Sequence, residues 1–146
     1  MVYFLNKETL IKLADDLEKR VDDYANKLLT DEIKSCKKMK WACQRYFNFK
    51  KKYKFDKIEL LKVYVWASQF KHRAGVLKGQ NIELHDSLLF DMANIFCFKK
   101  ENGKRLTRKV YEQKARKNVK TQSLSLISSY VAANNEGEQQ EIYIAG

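Results

Sequence analysis

The sequence contains no proline, and it has only five glycines and two histidines among its 146 residues. Proline interrupts helices because it lacks a backbone N–H and clashes with the preceding turn, so its absence favours a mainly helical chain. The three cysteines are Cys36, Cys43 and Cys97, and none of them belongs to a C-x-x-C pair. With so few histidines available, this spacing argues against a structural zinc site. We expect Cys36 and Cys43 to be buried free thiols in a reducing compartment.

The sequence also lacks an apolar run long enough to cross a membrane, and its N-terminus lacks the basic-then-apolar pattern of a signal peptide. We therefore expect no membrane partner. Positive charge is in excess, because 29 lysines and arginines against 18 acidic residues give a formal net charge of +11. Such a balance favours polyanionic partners. The hydrophobic content of 45% is sufficient for the core of one domain.

Apolar side chains recur at spacings of three and four residues in five stretches of the chain, which is typical of amphipathic helices. The predicted helices cover residues 9–29, 31–47, 57–70, 87–96 and 121–133. The predicted N-caps are Asn6, Thr30 or Asp31, Asp56 and Asp86. Asp56 and Glu59 have the spacing of a capping box. Because the third helix is apolar nearly all round, we expect it to be the most buried of the first four.

A basic run interleaved with aromatic residues, FKKKYKF, occupies residues 49–55. One interpretation is a DNA contact, in which Lys50, Lys51 and Lys52 bind phosphates and the aromatic rings stack on bases. The other is a connection between helices whose aromatic side chains pack inward. The alternation of aromatic and basic residues favours the inward packing.

The C-terminal residues show the order strand, basic loop, helix, strand, which is typical of the first βαβ unit of a phosphate-binding α/β domain. The strands are predicted at residues 105–114 and 142–145, with Lys120 and Thr121 at the start of the helix between them. In a Walker A loop the lysine binds phosphate and the following Ser or Thr binds magnesium. The strict motif requires glycine where Lys114 and Val119 stand, so a basic surface turn before a helix remains an alternative.

Residues 115–122, ARKNVKTQ, resemble the deviant Walker A loop of tailed-phage terminase large subunits, which reads R-K-N-G-K-[ST] or R-K-N-A-K-T. The similarity continues upstream, in the order of the family, at residues 24–25, 33–46, 53–56 and 82–84. It covers most of the chain. The chain therefore resembles the N-terminal part of a terminase large subunit.

The resemblance implies a predominantly α N-terminal subdomain over residues 1–98, followed by the first βαβ unit of a P-loop, ASCE-type α/β ATPase over residues 99–146. We expect the chain to be truncated, with the Walker B strand and the nuclease domain beyond Gly146. The intact protein would be an ATPase with a separate nuclease, whereas this chain alone is expected not to be catalytically competent.

The resemblance also implies a nucleotide site. Its residues are Arg116, Lys117, Asn118, Val119, Lys120 and Thr121. Lys120 matches the phosphate-binding lysine, Thr121 the magnesium ligand and Arg116 the loop arginine of the family. Val119 departs from the family's Gly or Ala and is expected to narrow the phosphate cradle. The family's Trp-Gln pair, whose Gln reads adenine, is missing near Ser87 and Leu88, which leaves the base contact open.

ATP and Mg²⁺ are the cofactors that the resemblance implies for the intact protein. The implied partners are double-stranded DNA, the portal protein, the small terminase subunit and possible further copies of the chain, in the cytoplasm of a bacterial host. The alternative is a small basic helical module that binds nucleic acid or an acidic protein without nucleotide chemistry. A self-contained enzyme has little support, because Glu136, Glu138 and Glu141 fit a solvated loop better than a catalytic set.

Overall fold

The computed structural model describes residues 6–73, 75–111 and 120–134, and of Lys120 only the backbone. The helices are α1 (Lys7–Leu29), α2 (Lys37–Lys52), α3 (Lys57–Ser68), α4 (Asp86–Phe96) and α5 (Lys120–Ala133). Two short strands, β1 (Lys54–Phe55) and β2 (Phe98–Lys99), form an antiparallel pair. The chain divides into two compact units, Met1–Val110 and Tyr111–Gly146. The predominantly helical fold is confirmed, whereas the described residues contain no βαβ unit.

Helix α1 is the centre of the first unit. It begins at the predicted cap, where Asn6 Oδ1 accepts a hydrogen bond of 2.8 Å from the backbone N–H of Thr9. Its buried residues follow the predicted stripe: Ala14, Leu17, Val21, Ala25 and Leu28. Burying a side chain of the size of Leu or Val stabilises the fold by about 1.5–3 kcal/mol. Helix α1 packs against α2, α3 and α4 along its length, so its apolar side forms the core with them.

Helix α2 begins six residues later than predicted, because Thr30 ends α1 instead of starting the next helix. Both the backbone N–H and the hydroxyl of Thr30 donate to the carbonyl oxygen of Asn26, at 2.9 and 3.1 Å. Asp31 then has a φ of 63°. This left-handed conformation, which Asp tolerates, is incompatible with a helix start at that residue. The N-cap of α2 is Cys36, which is exposed rather than buried as expected.

The aromatic residues of the 49–55 run pack inward, as the alternation indicated. Phe98 of β2 is fully buried, and the ring centroids of Phe49 and Phe55 lie 5.5 and 5.3 Å from its own. The ring of Tyr46 meets Phe98 at 5.6 Å. Such edge-to-face pairs each contribute about 0.5–1.5 kcal/mol beyond the area they bury. The first part of the run is nevertheless helical, because α2 continues to Lys52.

Helix α4, and not α3, is the most buried helix of the described first unit. Seven of its 11 residues are buried, against four of 12 in α3. Its N-cap is His85, whose Nδ1 accepts a hydrogen bond of 3.4 Å from the backbone N–H of Leu88, rather than the predicted Asp86. The expectation for the third helix was wrong because Ile58 and Lys62 remain exposed on its outer side.

The predicted capping box of α3 forms only in part. Asp56 Oδ1 accepts a hydrogen bond of 3.1 Å from the backbone N–H of Glu59, which is the expected cap. The backbone N–H of Asp56 donates instead to the carbonyl oxygen of Cys97, at 2.8 Å. The start of α3 is thereby attached to the end of α4 rather than closed on itself.

The predicted first strand of the ATPase sheet, residues 105–114, is wrong over residues 106–111. Arg105 forms only an isolated bridge with Lys99. Leu106 N–H donates to Phe98 O, and the Thr107 hydroxyl donates to Asn94 O, both at 2.8 Å. These hydrogen bonds hold Leu106 against β2 and Thr107 against α4, and no strand is present over residues 106–111. Residues 112–114 and the second predicted strand, 142–145, lie outside the described residues.

Candidate functional site

Helix α5 begins at Lys120, one residue before the predicted start. Lys120 and Thr121 therefore lie in the first turn of a 14-residue helix. The first turn contains no acidic residue. Backbone N–H groups without helical partners and the positive end of the helix dipole favour an anion at such a position. Thr121 is exposed.

The remaining predicted nucleotide-site residues lie outside the described part of the chain: Arg116, Lys117, Asn118 and Val119. Further along α5, the buried residues are Ser123, Leu126 and Tyr130, at the spacing of one helix side. Leu124, one of the apolar residues of this helix, is 44% exposed. The start of the helix thus lies within one residue of the prediction, and its buried side contains Ser123, Leu126 and Tyr130.

Of the three predicted DNA-contact lysines, Lys50 is already bound within the fold. Its ammonium lies 2.7 Å from Glu18 Oε1 and 2.8 Å from Asp22 Oδ2, both on α1. Burial lowers the pKa of Lys50, but hydrogen bonds with Asp22 and Glu18 and their negative charges outweigh burial and raise this pKa. Lys50 therefore links α2 to α1. Lys51 and Lys52 are exposed.

The outer side of α2 has a strong excess of positive charge. The helix contains no acidic residue, whereas α1 contains six acidic and five basic ones. Two of the α2 lysines are neutralised, Lys50 as above and Lys40 by Asp31 at 2.5 Å. The exposed basic residues of α2 that form no ion pair with any described residue are Lys37, Lys38, Arg45, Lys51 and Lys52. We call these five residues the α2 cations.

Cations and aromatic rings follow one another at a spacing of four residues, in a row that winds around α2 and ends at its C-cap, Tyr53. This cation–aromatic stripe consists of Lys37, Trp41, Arg45, Phe49 and Tyr53. The Lys37 ammonium lies 5.7 Å from the centroid of Trp41, and the Arg45 guanidinium lies 6.0 Å from that of Phe49. Trp41 is 55% exposed. Successive members of the stripe neighbour each other, because side chains four residues apart do so on a helix. Each four-residue step turns by about 40°, so the stripe passes from the exposed Trp41 to the half-buried Phe49.

The sequence did contain the signal for this stripe, in the spacing of Lys37, Trp41 and Arg45. The predicted second helix ends at residue 47, so the sequence pattern separates it from the 49–55 run. Only the observed bounds of α2 place the two stretches on one helix.

The described residues contain no group of three or more His, Cys, Asp or Glu side chains that could hold a metal ion. Burial raises the pKa of the Cys43 thiol to about 11 and that of Cys97 well above its usual value. A thiol that keeps its proton is a poor nucleophile and a poor metal ligand, so both cysteines act as core residues. None of the described helices has the length and apolar character needed to cross a bilayer.

No protein-family model, curated protein or solved structure matches this chain. Its function must therefore be argued from its own residues. Two described features bear on that function. They are the start of α5 at Lys120 and the basic outer side of α2.

Proposed function

We propose that this chain is the N-terminal part of an ATP-driven DNA-packaging motor of the terminase large-subunit type. In this proposal a helical unit precedes the phosphate loop of the ATPase. The observation that carries it is the start of α5 at Lys120, directly after the residues that resemble the deviant Walker A loop. P-loop proteins place the phosphate-binding lysine and the magnesium-binding hydroxyl at the first turn of a helix. Lys120 and Thr121 have these positions.

Each loop residue has a role in this proposal. Lys120 binds the β- and γ-phosphates, and the Thr121 hydroxyl binds magnesium. Arg116, Lys117, Asn118 and Val119 form the loop around the phosphates. Bound ATP supplies the phosphoryl group, and Mg²⁺ neutralises its charge. The partners are double-stranded DNA, the portal protein, the small terminase subunit and further copies of the motor, in the cytoplasm of the bacterial host.

The residues present support phosphate binding better than recognition of the whole nucleotide. A first helical turn without acidic residues favours phosphate. Two features weaken ATP binding by this chain: the branched Val119 in the loop, and the lack of a Gln near Leu88 to read adenine. A Walker B carboxylate, which supports magnesium in P-loop NTPases, is not assigned in this sequence. We therefore expect weak binding of Mg·ATP that depends on its phosphates.

Competition with labelled ATP tests this site. Equilibrium dialysis of the chain with radiolabelled Mg·ATP is expected to show weak binding that pyrophosphate displaces and adenosine does not. Lys120→Ala is expected to reduce this binding at least tenfold. Lys109→Ala is the matched control, because Lys109 is exposed and lies outside the loop. Equal loss in both variants would show only a general charge effect and would contradict the proposal.

The second candidate function is nucleic-acid binding by the helical unit without nucleotide chemistry. The observation that favours it is the set of α2 cations on a helix without acidic residues. Phosphates attract such a surface, and binding releases counterions, so affinity falls with salt. DNA binding that is unaffected by Lys120→Ala, in a chain that does not bind pyrophosphate, would select this function over the first.

A further inference from the structure

The cation–aromatic stripe of α2 presents a large aromatic ring to solvent in the middle of a basic surface. Trp41 is 55% exposed, whereas Phe49 and Tyr53 of the same stripe are partly covered. Within the described residues the ring of Trp41 meets the ammonium of Lys37, at 5.7 Å from its centroid. With Lys37 over the ring, an exposure of 55% leaves part of the indole surface accessible. The exposure of Trp41 is not explained by core packing.

We propose that α2 binds single-stranded DNA, with a base stacked on the exposed indole of Trp41 and the backbone phosphates on the α2 cations. Every base has an aromatic face, so stacking on an exposed indole ring tolerates any sequence. Arg45 lies one helical turn after Trp41 and Lys37 one turn before it, so phosphates on both sides of the stacked base meet a cation. This inference rests on the nucleic-acid binding proposed above and specifies its form.

Duplex DNA fits the stripe less well than a single strand. In a duplex each base is stacked between its neighbours and paired, and only its edges are accessible in the grooves. The α2 cations would still contact duplex phosphates, but Trp41 would find no base face. An acidic protein surface would likewise use the cations alone. Trp41 therefore distinguishes a single strand from both.

The fluorescence of Trp41 gives a direct readout. The chain has two tryptophans, and Trp66 on α3 is half-buried, so Trp66→Phe leaves Trp41 as the only indole emitter. We expect thymidine oligonucleotides to quench Trp41 saturably, and a duplex of equal length to leave its emission nearly unchanged. If Trp66→Phe lowers the melting temperature, Trp41→Phe in the parent chain provides the reciprocal test, because the quenching is then lost.

Affinities of matched variants give the second readout. Stacking of one base on an aromatic residue corresponds to about a tenfold gain in affinity. We expect Trp41→Ala to weaken single-strand binding about tenfold and duplex binding less than twofold, and Trp41→Phe to retain most of the affinity. The double variant Lys12→Ala/Lys19→Ala removes two exposed cations from α1 and serves as the charge control. Circular dichroism melts verify that each variant is folded.

Four outcomes would overturn the inference. If Trp41→Ala leaves single-strand affinity unchanged and Trp41 is not quenched, binding uses phosphates alone and only the stacking is wrong. If neither single-stranded nor duplex DNA binds at low salt, both the nucleic-acid function and the inference of single-strand binding are wrong. If polyglutamate binds as tightly as oligothymidine, the surface serves an acidic protein. Tighter binding of a single-stranded RNA than of its DNA counterpart would overturn the assignment to DNA.

Discussion

Lys50 on α2 lies 2.8 Å from the Asp22 carboxylate on α1, while the next two residues of the same lysine run point away from the fold. Asp22 also accepts a hydrogen bond of 2.8 Å from the Tyr46 hydroxyl. One carboxylate thus joins two side chains of α2 to α1. Three consecutive lysines, alike in sequence, therefore divide into one that stabilises the fold and two, Lys51 and Lys52, that are available to a partner.

Removing the carboxylate is expected to weaken the contact between α1 and α2. Asp22→Ala leaves the partly buried Lys50 ammonium with Glu18 alone and the Tyr46 hydroxyl without its acceptor. Leaving such groups unsatisfied costs about 1–3 kcal/mol of the free energy of unfolding. Urea unfolding measures the free energy of unfolding of each variant. Asp16→Ala, at an exposed position of α1, is the control and is expected to change this free energy by less than about 0.5 kcal/mol. Equal effects would contradict the role of Asp22.

Lys50 is expected to affect DNA binding differently from Lys51 and Lys52. Replacing Lys51 and Lys52 by Ala removes two exposed cations, so the slope of log K against log salt for duplex DNA should fall by roughly 1.8. Lys50→Ala should lower stability but leave the slope nearly unchanged, because the ammonium is already paired. Binding titrations at several salt concentrations measure the slopes. A slope that depends on Lys50 and not on Lys51 and Lys52 would refute this division.

Stability is expected to fall at alkaline pH. Burial raises the pKa of Cys43 to about 11, against an ordinary value of 9.0 in the unfolded chain. The pKa of Tyr46 is also raised, by burial and then by its hydrogen bond to Asp22. Because the unfolded state loses its proton first, the stabilisation is complete below about pH 9 and is lost as the pH rises through the folded value.

Melting temperatures between pH 8 and pH 11 test this dependence. We expect the parent chain to lose stability across this interval, and Cys43→Ala to show a lower melting temperature at pH 8 but a shallower decline above it. Cys36→Ala, at an exposed position, is the matched control. It should change neither the melting temperature at pH 8 nor the decline above pH 8. A decline in Cys43→Ala that parallels the parent would show that Cys43 does not contribute to it.

Shortening a buried side chain of α4 is expected to destabilise the fold strongly. Leu89 is fully buried, and Leu→Ala at such a position costs about 2–5 kcal/mol through lost burial and the cavity that remains. Leu77, in the connection between α3 and α4, is 48% exposed, and its replacement by Ala should cost little. Chemical unfolding of the two variants compares them directly. Similar losses would contradict the assignment of α4 to the core.

The starts of α1 and α3 could be predicted from the sequence, because local hydrogen bonds determine them. Asn6 caps α1 and Asp56 caps α3 through hydrogen bonds to residues three positions away, which spacing alone predicts. The start of α2 was not predictable in the same way. It depends on the left-handed Asp31, which follows the end of α1 and leaves no mark in the apolar pattern.

Elements fixed by distant contacts were also missed. The strand predicted at residues 105–114 does not form at Leu106 and Thr107, which donate hydrogen bonds to Phe98 and Asn94 instead. For the candidate sites, the helix start at Lys120 could be predicted from spacing. The pairing of Lys50 could not, because Glu18 and Asp22 lie on another helix.

The central claim is that the start of α5 binds phosphate through Lys120, and residue-resolved NMR tests it most directly. The 146-residue chain, labelled with ¹⁵N, is titrated with Mg·ATP and compared with Lys120→Ala and with the control Lys109→Ala. We expect saturable shifts at the backbone amides of Thr121 and Gln122 in the parent and the control, and their loss in Lys120→Ala, with the rest of the spectrum unchanged. If these amides shift equally in Lys120→Ala, or do not shift in the parent while other amides do, the loop is a basic surface turn and the proposed phosphate site is wrong.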